Sequence, residues 1–120
     1  MLHEELTRSI IGAAMTVLNT LKPGLDEKLY ERALRIEPGN RGHLVEAQRA
    51  FPVYYDGQEI GTLIPDLIVD DLVLVDTKVV KTFSESHEAQ MIGYLAITEL
   101  CIGLIINFRY RSLKWLRMAR

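Results

Sequence analysis

At 120 residues, with 48% hydrophobic and 25% charged residues and a formal charge of −2, the chain suits one compact domain, residues 1–120, with a real core. No apolar run approaches the ~20 residues that span a bilayer, and Met1-Leu2-His3-Glu4-Glu5 lacks the basic start and apolar centre of a secretory signal, so no membrane partner is expected. Cys101 is the sole cysteine, which excludes an internal disulfide and a cysteine metal cluster and makes a reducing, cytoplasmic location the expectation.

Residues 4–21 read as a helix, because Ile10, Ile11, Ala14, Val17, Leu18 and Leu21 recur at three- and four-residue steps. Pro23-Gly24 stops it. A second helix runs from Asp26 to about Ile36, with Asp26 and Glu27 in the first turn, where the helix dipole favours acids. Pro38-Gly39-Asn40 ends it.

Short strands follow. Val45 to Tyr55 is one candidate, with Pro52 marking an edge or bulge. Asp56-Gly57 is a hairpin signal, and the partner strand runs from about Gln58 to Thr62. Leu63–Val69 and Leu72–Val80 come next, joined at Asp70-Asp71. Ser84 reads as an N-cap for a helix from about Glu85 to Leu100. Cys101–Phe108 is a continuous apolar run, as expected of a buried strand. The order is α-α-β-β-β-β-α-β. The helix between the last two strands is a crossover, so those strands are expected to be parallel. The fold class is therefore α/β (α+β), with a central mixed sheet flanked by helices.

The chain closes on a basic tail. Every acidic residue lies at or before Glu99, whereas residues 109–120 hold Arg109, Arg111, Lys114, Arg117 and Arg120. Removing those five from the 14 basic residues leaves nine against 16 acidic ones in the preceding body, a balance of −7. With Phe108, Tyr110 and Trp115 interleaved, the tail could contact phosphates and stack on bases. It could equally be a solvated helix or strand whose aromatics pack on the core.

Two carboxylates stand in the apolar hairpin: Asp66 after Pro65, and Asp76 before Thr77-Lys78. Burying them among Leu, Ile and Val is costly without compensation. A divalent cation and a lysine are natural compensators. Side chains alternate along a strand, so Asp76 and Lys78 share a face. Asp66, Asp76 and the Thr77 carbonyl could supply three oxygens to Mg²⁺ or Mn²⁺, and Lys78 could orient or deprotonate water or neutralise a phosphate. The geometry carries a condition. A two-residue turn at Asp70-Asp71 would place residue 66 opposite 75 and separate the aspartates onto opposite faces. An odd-length loop or a bulge would place 66 opposite 76. The alternative is that Asp66 only precedes a turn and Asp76–Lys78 is an ion pair.

Four motifs extend this pattern: Gly24-x-x-Glu27-x-x-Tyr30, Pro65-Asp66 with Asp76-x-Lys78, Gln90-x-x-x-Tyr94 preceded by His87, and the stretch from Arg41-Gly42 to Gln48. Together they resemble the GxxExxY proteins, a branch of the PD-(D/E)XK nuclease superfamily, from about Leu6 to Phe108. The resemblance implies a restriction-endonuclease-like core and divalent-metal-dependent hydrolysis of nucleic acid, DNA in preference to RNA. It implies that Asp66 and Asp76 are metal ligands, that Lys78 is the catalytic lysine, and that Glu27 touches the metal directly or through water. Gln90 and Tyr94, with Tyr30 beside Glu27, would contact substrate. Each has a bland counterpart: Glu27 is a good first-turn acid, Tyr30 and Tyr94 could be half-buried core aromatics, and His87 could only cap its helix.

The chain departs from the family in carrying Asp76 where Glu is usual, which shortens the reach by one methylene. The second helix also breaks early, at Glu37-Pro38, and the body is acidic. Three readings follow: a Mg²⁺- or Mn²⁺-dependent nuclease, which as a homodimer could embrace a duplex; a nuclease fold without useful catalysis that binds nucleic acid or a protein; or a structural ion-pair network.

Overall fold

The computed structural model describes residues 2–120. Helix α1 spans Glu4–Leu21, α2 Glu27–Leu34 and α3 Glu37–Asn40. Strands β1 (Val45–Ala47), β2 (Phe51–Tyr55), β3 (Gln58–Leu63), β4 (Leu67–Val69) and β5 (Val73–Lys78) follow, then α4 (Glu85–Thr98), β6 (Ile102–Asn107) and β7 (Lys114–Ala119). The main sheet has the order β1-β4-β5-β6-β7, and β2-β3 form a separate hairpin. Only β5 and β6 run parallel within the main sheet; its other neighbours are antiparallel. This is the expected mixed α/β sheet flanked by helices, and the parallel pair is the one joined by α4.

The two sheet faces are covered differently. Val73 and Val75 of β5, with Leu104 and Ile106 of β6, pack against Ile10, Ala14, Val17 and Leu18 of α1 and Leu34 of α2. On the other face Leu74 and Ile105 meet Met91 and Leu95 of α4. Gly103 lets α4 come this close: a Cβ there would stand 2.4 Å from Met91 Sδ. Because β6 is buried from end to end, its sequence shows no alternation.

Several elements differ from expectation, each for a local reason. Pro38 does not end α2; that helix stops at Leu34, and Pro38 sits in the first turn of the one-turn α3, where its missing N–H costs nothing. The expected Val45–Tyr55 strand is two strands in two sheets, separated at Gln48 (φ 59°). Pro52 lies on β2, which pairs only with β3 and carries an irregularity at Val53/Tyr54. The segment before β4 leaves the ladder around Pro65, so β4 starts at Leu67. The basic tail adds a strand, β7, paired along β6 from Asn107↔Lys114 to Ile102↔Ala119.

The β4–β5 connection decides the site. Leu67 pairs with Val75 and Val69 with Val73, so the loop has three residues, Asp70, Asp71 and Leu72. Asp70 (φ 53°) and Asp71 (φ 56°) are both left-handed, a conformation that Asp tolerates. Asp70 is tied down by its neighbours: its carboxylate accepts from Leu44 N–H (2.8 Å) and lies 2.7 Å from His43 Nδ1, and its own N–H donates to the Leu44 carbonyl (2.8 Å). The same register, continued one residue, sets Asp66 opposite Asp76.

Candidate active site

Asp76 and Lys78 follow Leu74 in the alternation of β5 and therefore lie on the α4 face. The odd-length loop brings Asp66 to that face too. Lys78 Nζ is 3.2 Å from Asp76 Oδ2, and only 18% of the lysine side chain and 10% of the aspartate side chain are exposed. The Lys78 carbonyl accepts from Phe108 N–H (2.9 Å) on the β6 side. Strand alternation then turns the Thr77 backbone toward β4. There Thr77 N–H and Oγ1 both donate to Asp66 Oδ2, at 3.1 and 3.2 Å. The Thr77 carbonyl points the same way as its N–H, into the gap left because β4 begins only at Leu67.

The charges explain the titration behaviour. Burial, and then hydrogen bonding and repulsion from Asp66, lift Asp76 to about 7, with Lys78 pulling the other way. Burial also raises Glu27; the Lys78 cation opposes that and the Asp66 charge adds to it. Desolvation depresses Lys78, but Asp76, Glu27 and Asp66 outweigh it, so the ammonium stays protonated above its ordinary range. The Tyr94 hydroxyl is raised by desolvation and then by the charges of Asp76 and Asp66. One electrostatic cluster thus joins Glu27 at the start of α2, Asp66, Asp76 and Lys78 on the sheet, and Tyr94 on α4. Gln90 Nε2 donates to the Tyr94 hydroxyl (3.0 Å) from one turn earlier on that helix.

Tyr30 stands elsewhere. It was expected to contact substrate, but it is fully buried and stacks on Phe108, with centroids 4.9 Å apart and planes at 7°. Its hydroxyl donates to the Lys22 carbonyl (2.6 Å) and accepts from Leu25 N–H (3.0 Å). It fixes the loop from which Glu27 emerges, a positioning role. His87 completes a capping box with Ser84, its Nδ1 accepting from Ser84 N–H (3.1 Å).

One residue escaped sequence reading. Asn107, 2% exposed at the end of β6, accepts from Val80 N–H (3.1 Å) and Arg109 N–H (3.1 Å) and donates to the Val80 carbonyl (2.7 Å). It pins the chain just beyond Lys78. The signal was a lone amide in an apolar run, which is stable there only when its hydrogen bonds are made.

Three carboxylates, Glu27, Asp66 and Asp76, face one cation, Lys78. The Asp66–Asp76 pair, with the Thr77 carbonyl beside it, offers the oxygen donors that a hard divalent cation takes. Among the described residues no three acidic, imidazole or thiol side chains converge as a ready-made metal cluster.

A family model described as the PD-(D/E)XK nuclease superfamily matches residues 4–118. The crystal structure of an alkaline exonuclease (LHK-Exo) from Laribacter hongkongensis is similar, with a TM-score of 0.42 and 13% identity over 95% of this chain and 82% of that one. No curated protein matches significantly.

Proposed function

The chain belongs to the PD-(D/E)XK nuclease superfamily, and from that membership we propose that it is a divalent-metal-dependent nuclease hydrolysing nucleic-acid phosphodiester bonds. The observation that carries this reading is the register: the three-residue loop sets Asp66 and Asp76 on one face, with Lys78 3.2 Å from Asp76.

Each residue has a part. Asp66, Asp76 and the Thr77 carbonyl would hold the cation, Mg²⁺ or Mn²⁺, with Glu27 as a further acid nearby. A cation held there would supply a lowered water pKa and stabilisation of charge on phosphoryl oxygens. Lys78, held charged by its carboxylate neighbours, neutralises charge developing on the phosphate and orients the attacking water. Gln90 and Tyr94 present a hydrogen-bonded amide and hydroxyl to the substrate backbone. Within the superfamily, the motif Gly24-x-x-Glu27-x-x-Tyr30 supports the GxxExxY branch as the reading for this chain.

The test is cleavage of single- and double-stranded DNA and RNA with Mg²⁺ or Mn²⁺, by wild type, Lys78→Ala and Asp66→Ala. Metal-dependent cutting lost in both variants is expected, at least ~10²-fold, with DNA cut faster than RNA. Cutting that persists in both variants sinks the reading. Wild-type binding without cutting would instead assign a nuclease-fold binding module. The reading also includes a cytoplasmic location and a homodimer that widens a shallow groove; fractionation and light scattering test them.

A further inference from the structure

Ten of the 14 basic side chains, Lys81, Arg109 and Lys114 among them, form no salt bridge among the described residues, whereas Arg8, Arg35, Arg49 and Lys78 are paired. Lys81, Arg109 and Lys114 lie around the strand ends next to Lys78. Lys81 lies three residues beyond Lys78, and Arg109 and Arg111 lie in the β6–β7 connection. Strand registers align Lys78, Asn107 and Lys114 in one row across β5, β6 and β7. Paired residues share a sheet face, so Lys114 stands on the face of Lys78, two strand spacings or ~10 Å away.

Aromatic rings interleave with these cations. A cavity of about 400 Å³ is lined by Lys81, Phe83, Asn107, Tyr110, Lys114 and Trp115. That volume suits one small planar guest. Tyr110 also lines a second cavity, of about 520 Å³, with Arg109, Val79 and the Pro23-Gly24-Leu25 loop that leads to Glu27. Tyr110 is fixed where it stands, its hydroxyl donating to the Lys81 carbonyl (3.0 Å) and Arg109 lying 5.9 Å over its ring. Tyr110 and Trp115 remain 42% and 43% exposed, so these rings are not core.

Unpaired cations beside half-exposed flat rings fit a polyanion with free base faces. No Asp or Glu follows Glu99 to repel phosphates. In a duplex the base faces are stacked on one another and unavailable, whereas in a single strand they are free to stack on protein aromatics. We propose that the β6–β7 connection and the start of β7 form a track for single-stranded nucleic acid. Phosphates lie on Lys81 and Lys114, bases stack on Tyr110, and the strand leads to Asp66 and Asp76. This rests on the nuclease reading of that site.

Trp115, the only tryptophan, borders the cavity lined by Lys81, Tyr110 and Lys114, so its emission reports occupancy there. The full chain is titrated in EDTA with a 15-mer oligothymidylate and, separately, with a blunt self-complementary duplex. Saturable quenching by the single strand is expected, with weaker binding of the duplex. Lys81→Ala/Lys114→Ala should weaken single-strand binding about tenfold and remove about 1.4 from the slope of log K against log salt, two phosphates at ~0.7 each. Tyr110→Leu should also weaken it about tenfold, and Arg49→Ala should leave it unchanged. Lys114→Glu, at an exposed position, gives the same answer should the double variant fold poorly. Equal or tighter duplex binding, or affinity indifferent to the lysine variants, overturns the track. Binding as described with no cleavage in Mn²⁺ would sink the nuclease reading alone. Cleavage with an unchanged KM in the lysine variants would sink the track alone.

Discussion

The Tyr30 hydroxyl bridges the Lys22 carbonyl and the Leu25 N–H inside the fold, so Tyr30→Phe strands two backbone groups at once. The expected cost is about 1–3 kcal/mol, seen as a lower denaturation midpoint, with KM unchanged in the folded fraction. A raised KM at unchanged stability would return Tyr30 to the groove. Asp76 makes the second residue-scale prediction. Its carboxyl titrates at about 7 in the folded chain, against ~3.9 in an unfolded one. Between those values the folded state holds the extra proton, so the stability it contributes is complete below pH ~4 and lost as pH rises through about 7. Glu27, also raised, acts in the same sense. In EDTA the chain should lose on the order of 1–3 kcal/mol between pH 5 and pH 8, and Asp76→Asn should flatten the curve. A wild-type stability that is flat or rising across that window contradicts the assignment. These residues were legible because acids and a lysine are conspicuous among β-branched neighbours. Asn107 was not, because its meaning lies in Val80, 27 residues away and adjacent only after β5 and β6 align.

The three-residue loop Asp70-Asp71-Leu72 places Asp66 and Asp76 together, so its integrity should control the site from outside it. Asp70→Ala removes the acceptor for Leu44 N–H and the partner of His43, and puts alanine at φ 53°. About 2 kcal/mol of stability should be lost by urea denaturation, from the charged hydrogen bonds and the left-handed backbone together. Metal affinity should fall with it, by calorimetry; a variant with wild-type stability would show that the loop does not depend on Asp70. Sequence posed this question without answering it, since Asp70-Asp71 fits a two-residue turn as well as a longer one. What selects the longer loop is Leu44, a distant contact. Helices α1 and α4 were legible because periodicity and a Ser84 cap are local signals. The break at Gln48 and the strand identity of Lys114–Ala119 were not: the first is a single left-handed residue, and the second is a six-residue edge strand whose partner, β6, settles what local pattern leaves open.

Across the molecule, charge is unevenly spread: three carboxylates gather around Lys78, while the last 21 residues contain no acid. That arrangement stores uncompensated negative charge at Asp66 and Asp76 in the metal-free state, so a cation bound there should stabilise the whole fold by mass action. Mn²⁺ at 100 times its dissociation constant should add about 2.7 kcal/mol, or roughly 10 °C in the midpoint for a chain of this size. The shift should be larger at pH 8 than at pH 6, because at the lower pH the ion must displace the proton held by Asp76. Differential scanning fluorimetry with Mn²⁺ and with EDTA measures it without reference to activity. Asp66→Ala and Asp76→Ala should each abolish the shift. Lys78→Ala should leave it intact or enlarge it, because removing the ammonium leaves the two carboxylates with no other nearby cation to compensate them. An equal shift in the aspartate variants would put the ion elsewhere in the molecule and leave the paired carboxylates to the ion pair with Lys78 alone.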